Sequence, residues 1–245
     1  MKTEIDKLQQ WVHSSDNIVF FGGAGVSTES GIPDFRSEDG LYSQEYEYPP
    51  EIMLSYSFFM DYPEEFYRFY KNKLLTEGIK PNQSHIVLAE LEKAGKLRAV
   101  ITQNIDCLHQ MAGSQNVIEL HGSTSRNYCM DCTKPHKIES IKNVEIPTCE
   151  CGGIIRPDVV LYEESLETDL LIQAADYISQ ADMLIIGGTS LSVYPAAGLI
   201  YYYEGNKLVL INNSETDFDK RANLVIRQRI GSVFDEIWSS PNRTL

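Results

Sequence analysis

Asn17-Ile18-Val19-Phe20-Phe21-Gly22-Gly23-Ala24-Gly25-Val26-Ser27-Thr28 is a short apolar run that empties into a glycine-rich turn. An unbroken apolar run of this length reads as a strand buried on both faces, the kind found inside parallel sheets. The glycines let the backbone turn sharply and leave its amides open, which suits a phosphate held where a helix begins. The spacing departs from Gly-x-Gly-x-x-Gly, because Thr28 stands in the third glycine position. Taken alone, the turn also has a plain reading as a tight strand-to-helix connection.

Working outward, the same alternation recurs. Ile5, Leu8 and Val12 form the apolar stripe of a first helix. Pro81-Asn82-Gln83-Ser84 opens a helix over 85–94 that Gly95 closes. Strands are predicted at 97–102, 117–120, 158–162, 183–186, 207–211 and 223–227, with helices over 168–180, 195–203 and 231–239. Short buried strands alternating with helices predict an α/β fold with a doubly wound parallel sheet. Two stretches interrupt it. Residues 37–80 are rich in Tyr, Phe and acids and read as a loop with short helices, a layer over something rather than its core. Residues 125–155 carry two cysteine pairs and read as an inserted lobe. The sheet domain would then comprise 1–36, 81–124 and 156–245.

Composition narrows the partners. With 21 Lys+Arg against 35 Asp+Glu the net charge is −14. A duplex-binding surface needs a basic footprint, so no nucleic acid is expected, whereas a lysine-rich peptide would be attracted. No apolar run approaches the ~20 residues of a membrane helix, so no membrane is expected. The first fifteen residues lack the pattern of a secretory leader, and the expected location is cytoplasmic.

Four of the five cysteines are grouped as Cys129-Met-Asp-Cys132 and Cys149-Glu-Cys151. Two knuckles of this spacing can close a tetrahedral Zn2+ site, and four sulfur ligands leave no open position, so the metal is structural. Polar turns also end other strands: Gly187-Gly188-Thr189-Ser190 and Asn212-Asn213. Between them lie Ser30-Gly31-Ile32-Pro33-Asp34-Phe35-Arg36-Ser37, Thr102-Gln103-Asn104-Ile105-Asp106 and His121-Gly122. An aromatic, an arginine, amides, a carboxylate and a histidine just past strand ends form a polar crevice, although each has a plain structural reading as a cap, ion pair or turn residue.

These segments, with Gly188-Thr189-Ser190-Leu191-x-Val193-x-Pro195-Ala196 and the four cysteines, resemble the sirtuin family of NAD-dependent protein-lysine deacylases in the same order over about residues 16–230. The resemblance implies a Rossmann-like domain with a smaller lobe made of a zinc ribbon and a helical insertion. NAD and an acyl-lysine peptide would meet between them. It implies that the acyl oxygen attacks the ribose carbon bearing nicotinamide, releasing nicotinamide and leaving an alkylimidate. His121, as general base, then lets this collapse to free lysine and O-acetyl-ADP-ribose, with Asn104 also in the catalytic set. By motif position Gly23, Ala24, Gly25, Thr28, Phe35, Arg36, Gln103, Gly188, Thr189, Ser190 and Asn212 would hold NAD, with Asn213 and Ile230 toward the adenosine. Asn104, Ile105 and Asp106 would line the nicotinamide pocket. The peptide would lie as a strand between the stretches from Val159 to Tyr162 and from Ser190 to Val193.

This chain departs from the family pattern at three places. Tyr162-Glu163-Glu164 stands where many members read Phe-Gly-Glu, Cys107 where glycine is usual, and Gly22 where threonine is common. Glu163 would be strained if that position needs a positive φ. Members preferring dicarboxylic acyl groups carry Tyr-x-x-Arg; here Tyr70 and Lys73 fall at that spacing, and lysine lacks the bidentate fork. Acetyl or another neutral acyl group is expected. Another lysine deacylase activity and mono-ADP-ribosyl transfer are the alternatives on the same scaffold. An NAD-linked oxidoreductase and a zinc-ribbon adaptor are the rivals from other classes.

Overall fold

The computed structural model describes residues 2–35, 40–41, 48–75 and 78–239. Strand β1 (Ile18–Gly22) is buried at all five positions and pairs in parallel with β2 (Leu97–Thr102) on one side and β7 (Met183–Gly187) on the other. Beyond β2 lies β3 (Val117–Glu119); beyond β7 lie β8 (Leu208–Ile211) and β9 (Leu224–Ile226). The order β3-β2-β1-β7-β8-β9 is that of a doubly wound sheet. Successive residues go to opposite faces, so Phe20, Val100 and Ile185 enter one core while Phe21, Ile101 and Ile186 enter another. Both faces are covered, which is why these strands read as continuous apolar runs.

The first face is covered by α1 (Lys2–His13), α5 (Gln83–Lys93) and α9 (Ile230–Ser239), the second by α8 (Thr168–Gln180) and a 3-10 helix, Ala196–Tyr202. The Asn82 side chain caps α5, and His85 takes the reciprocal place in the capping box through Nδ1, 3.2 Å from the Asn82 N–H. Asn82 Nδ2 also donates to the Val26 carbonyl at 2.8 Å, pinning α5 to the turn after β1. His85 lies 4.7 Å, ring to ring, from His109 on α6 (Leu108–Ala112), and both rings are buried.

Three expectations about individual elements change. The 195–203 helix is a 3-10 helix. The turn after β1 continues as two short 3-10 turns, Ala24–Val26 and Thr28–Ser30, not as an α-helix. The strand expected at 158–162 is β6 (Ile155–Val159), which leaves the parallel sheet and pairs antiparallel with β4 (Gly122–Cys129). A short β5 (Pro135–His136) completes this second sheet in the order β5-β4-β6.

The smaller lobe adds α2 (Pro50–Met53), α3 (Tyr56–Asp61), α4 (Pro63–Lys73) and α7 (Glu139–Lys142). Phe59, Phe66, Tyr67 and Tyr70 are fully buried and share one core with Cys129, Cys149, Ile141 and Ile155. The aromatic stretch is therefore the interior of the lobe and not a cover laid over the sheet domain. Each such side chain removed from water contributes about 1.5–3 kcal/mol, enough to explain why short helices hold here.

Candidate active site

The order of the sheet reverses at β1 and β7, so the crevice opens beyond their C-terminal ends. There the two glycine turns touch backbone to backbone. Gly23 N–H donates to Gly187 O (3.3 Å) and Gly25 N–H to Gly188 O (2.8 Å). A Cβ on Gly25 would lie 2.8 Å from Gly188 Cα, and Gly188 itself has φ +57. Nothing larger than hydrogen fits this approach. Thr189 Oγ1 accepts from Gln103 Nε2 at 3.1 Å and from the Leu191 N–H at 3.2 Å, joining the ends of β7 and β2.

Next to the turns is a half-buried polar knot. Ser27 Oγ donates to Asp106 Oδ2 at 2.6 Å, and Asn104 Nδ2 donates to Ser27 Oγ at 3.1 Å. Asp106 Oδ1 accepts from the Leu108 N–H at 2.9 Å, at the start of α6. Burial pushes the Asp106 carboxyl above its ordinary pKa, partly offset by the Ser27 and Leu108 hydrogen bonds. Ile105 O accepts both the Thr124 N–H and its hydroxyl at 2.9 Å.

His121 follows β3. Its Nδ1 is 2.9 Å from the Gln103 carbonyl. A carbonyl only accepts, so Nδ1 carries the proton and Nε2 is the basic nitrogen. Burial lowers its pKa, with the Gln103 bond pulling the other way, so the ring is neutral near pH 7. Gly122, at φ +78, makes the tight bend into β4.

The structure thus brings Gly23, Ala24, Gly25, Thr28, Gln103, Asn104, Ile105, Asp106, His121, Gly188, Thr189 and Ser190 to one edge of the sheet. Phe35 and Ile105 pack against the core of the smaller lobe, so they border both parts of the molecule. Asn212 is half-buried with Nδ2 on Ser214 O at 3.0 Å, and Asn213 is exposed at the end of β8. The Ile230 side chain lies in the sheet-domain core. Arg36 lies outside the described residues. Ser27, singled out for no role by sequence reasoning, is only 1% exposed and joins Asn104 to Asp106. Its one signal was a hydroxyl directly after the glycine turn.

The four cysteine sulfurs lie within 4.8 Å of one another, with Cys129–Cys151 at 3.4 Å and Cys132–Cys149 at 3.8 Å. Zn–S bonds of about 2.3 Å in a tetrahedron place sulfurs about 3.8 Å apart, so the set fits Zn2+. Amide bonds close both knuckles, Thr133 N–H to Cys129 O (3.0 Å) and Gly152 N–H to Cys149 O (2.9 Å). A Cβ on Gly153 would lie 2.8 Å from Cys129 Sγ, so that glycine makes room for the sulfur. Four thiolates leave no place for a reacting water, and the metal would serve the fold.

Residues 23–195 match the model of the Sir2 family. An NAD-dependent protein deacetylase of Clostridium tetani is 58% identical over 235 residues, covering 94% of this chain and 95% of the relative. One from Clostridium perfringens is 57% identical over 242 residues, covering 97% and 99%. A solved Sir2 complex with a p53 peptide and NAD+ superposes with a TM-score of 0.85 at 40% identity, covering 96% and 97%. Another, with a deacetylated p53 peptide and 3'-O-acetyl ADP ribose, gives 0.90 at 38% identity, covering 98% and 99%. With the glycine turns, the half-buried histidine and the four-sulfur cluster in one molecule, the chain belongs to the Sir2 family.

Proposed function

We infer that this protein is an NAD-dependent protein-lysine deacetylase that uses a structural Zn2+. The observation that carries the reading is His121, held by the Gln103 carbonyl with Nε2 left basic, beside the two glycine turns. Bound NAD supplies a sugar carbon with nicotinamide as leaving group, to which the acyl oxygen of the modified lysine can bond. Gly23, Gly25 and Gly188 give the pyrophosphate close access to backbone, flanked by Ala24 and Thr28. Phe35, Arg36, Gln103, Thr189, Ser190 and Asn212 complete the NAD site, with Asn213 and Ile230 at the adenosine end. The Ile230 side chain is buried, so its part falls to the backbone.

Asn104, Ile105 and Asp106 shape the nicotinamide pocket, and the Ser27 bridge holds that segment still. His121 Nε2 takes a proton from the sugar hydroxyls and returns it, a role that needs a neutral ring at working pH. Phe35 excludes water from the reacting face. The acyl-lysine peptide adds as a strand between the stretches from Val159 to Tyr162 and from Ser190 to Val193, an addition that reads main chain more than side chains. Tyr70, where a dicarboxylic acyl group would need a grip, is wholly buried, which supports acetyl as the acyl group. The net charge of −14 disfavours nucleic acid as a partner, and no helix among the described residues is long and apolar enough to cross a membrane. Metal-binding thiolates need a reducing compartment, which supports a cytoplasmic setting.

The test incubates the protein with NAD and an acetyl-lysine peptide and follows peptide mass and free nicotinamide. Stoichiometric deacetylation and nicotinamide release are expected, with His121→Ala folded but slowed by about 10²–10⁴-fold. Unchanged turnover in His121→Ala would overturn its role. Reduced-nicotinamide absorbance without free nicotinamide would point to a redox enzyme instead.

A further inference from the structure

The segment that leaves β6 reads Val160-Leu161-Tyr162-Glu163-Glu164. It is bonded to the helices of the smaller lobe through main chain: Tyr162 N–H donates to Leu54 O (2.9 Å) and Tyr56 N–H to Tyr162 O (3.0 Å). The next residue, Glu163, has φ +77, in the left-handed region that disfavours a residue with a Cβ. Something must hold it there. Its Oε2 accepts from the Ser57 N–H and its Oε1 from the Ser57 hydroxyl, both at 2.9 Å. Without Glu163 the Ser57 N–H would have no partner in the first turn of α3, because the cap residue Ser55 bonds Phe58 N–H instead. Glu164 turns the other way, onto Arg156 at 2.7 and 2.8 Å. Two consecutive carboxylates thus fasten the segment, one to α3 and one to β6.

We propose that Glu163 is a positioning residue for the acyl-lysine substrate: its carboxylate latches to α3 the residues 160–162, whose three amides and the Leu161 and Tyr162 carbonyls are already bonded within the protein, and so presets the Val160 carbonyl and the side of this segment along which the peptide lies. This rests on the deacetylase reading above and names how its peptide site is held. A strand-adding peptide draws affinity from main-chain bonds, and an edge that must be ordered at the moment of binding lowers that affinity. Glycine would take φ +77 with less strain but could not reach Ser57. The chain keeps the strain and gains a fixed edge. The Glu163 carboxylate bonds neither the glycine turns nor the His121 ring, and the segment it holds meets His121 through the Val160 N–H on the His121 carbonyl (3.0 Å), so its main effect falls on the peptide.

Three variants separate the terms. Glu163→Gly relieves the backbone and removes the latch, Glu163→Gln keeps an acceptor oxygen, and Ser57→Ala removes one of the two bonds. Peptide KM, NAD KM and kcat are measured, with amide hydrogen exchange over 160–164. Glu163→Gly is expected to raise peptide KM about three- to ten-fold with kcat and NAD KM within about twofold, and to speed exchange over 160–164. Glu163→Gln should stay within about twofold of the parent, and Ser57→Ala should fall between. An unchanged peptide KM in Glu163→Gly, or equal losses in both KM values and kcat, would overturn the proposal. If the parent shows no NAD-dependent deacetylation, the deacetylase reading fails. The exchange comparison then still decides whether the latch holds the edge.

Discussion

Replacing Glu164 by alanine should lower stability far more than its partial exposure suggests. Its carboxylate meets the Arg156 guanidinium as a fork, and the two side chains are 24% and 6% exposed. Arg156 Nη2 also donates to Val159 O at 3.0 Å, and the guanidinium sits 5.5 Å from the Phe59 ring centroid and 5.9 Å from that of Tyr128. Glu164 Oε2 accepts from the Leu161 N–H at 2.8 Å as well. Burial raises the Glu164 carboxyl pKa, but Arg156 and the Leu161 amide outweigh it and hold the group below its ordinary value.

Removing the carboxylate strands a guanidinium among aromatics, a change that typically costs about 3–5 kcal/mol. Because a quarter of Glu164 reaches water, the lower end applies, about 3 kcal/mol. For a chain of this size each kcal/mol moves Tm by about 2–4 °C, so Glu164→Ala should melt about 6–12 °C lower. Circular-dichroism melts at neutral pH with zinc present, at one scan rate, measure it. The double variant Arg156→Met, Glu164→Gln should recover much of the loss, because no buried charge remains. A single variant melting within about 2 °C of the parent, or a double variant that melts no higher than the single one, would refute the reasoning.

Zinc removal should act on one part of the molecule. Both tryptophans, Trp11 and Trp238, pack on the sheet domain, while Tyr67 and Tyr70 lie in the core that contains Cys129 and Cys149. A chelator should therefore abolish near-ultraviolet tyrosine dichroism from the lobe and leave tryptophan emission in place; simultaneous loss of both, or of neither, contradicts this. Acid should weaken the sheet domain through His85 and His109. Burial lowers the His85 pKa to about 4 and that of His109 well below its ordinary value. The unfolded chain then binds more protons below pH ~6.5, so stability is level above that pH and falls toward pH 4 by up to about 1.4 kcal/mol per unit for each ring. Denaturant melts of the parent and His109→Leu from pH 7 to 4.5 test it: the variant should fall less steeply, and equal slopes would exclude His109 as a source.

The parallel sheet is legible because β1, β7 and β8 are buried on both faces, which leaves their residues no choice but apolar. The second sheet is hidden for the opposite reason. β4 reads Gly-Ser-Thr-Ser-Arg-Asn-Tyr-Cys with exposed Ser125 and Arg126, its register with β6 shifts between Ser123 and Asn127, and β6 contains Pro157. The stripe Phe66, Tyr67, Phe69, Tyr70 has helical spacing, yet nothing local says that its partner is a cysteine ribbon more than fifty residues on. In the crevice, glycines and amides announce themselves by type. The Ser27–Asp106 bond spans 79 residues, and the Glu163–Ser57 bonds span 106, and both exist only once the chain is folded.

That the helical insertion and the ribbon pack into a single apolar interior constrains how the gene could be cut and rejoined. Transplanting the ribbon onto a relative without its matching helices would turn Cys129, Ile141 and Ile155 toward solvent, and moving the helices alone would strip Phe59, Phe66 and Tyr70 of their cover. Recombination is tolerated at this lobe only when both inserts travel together, as one heritable block written in two places.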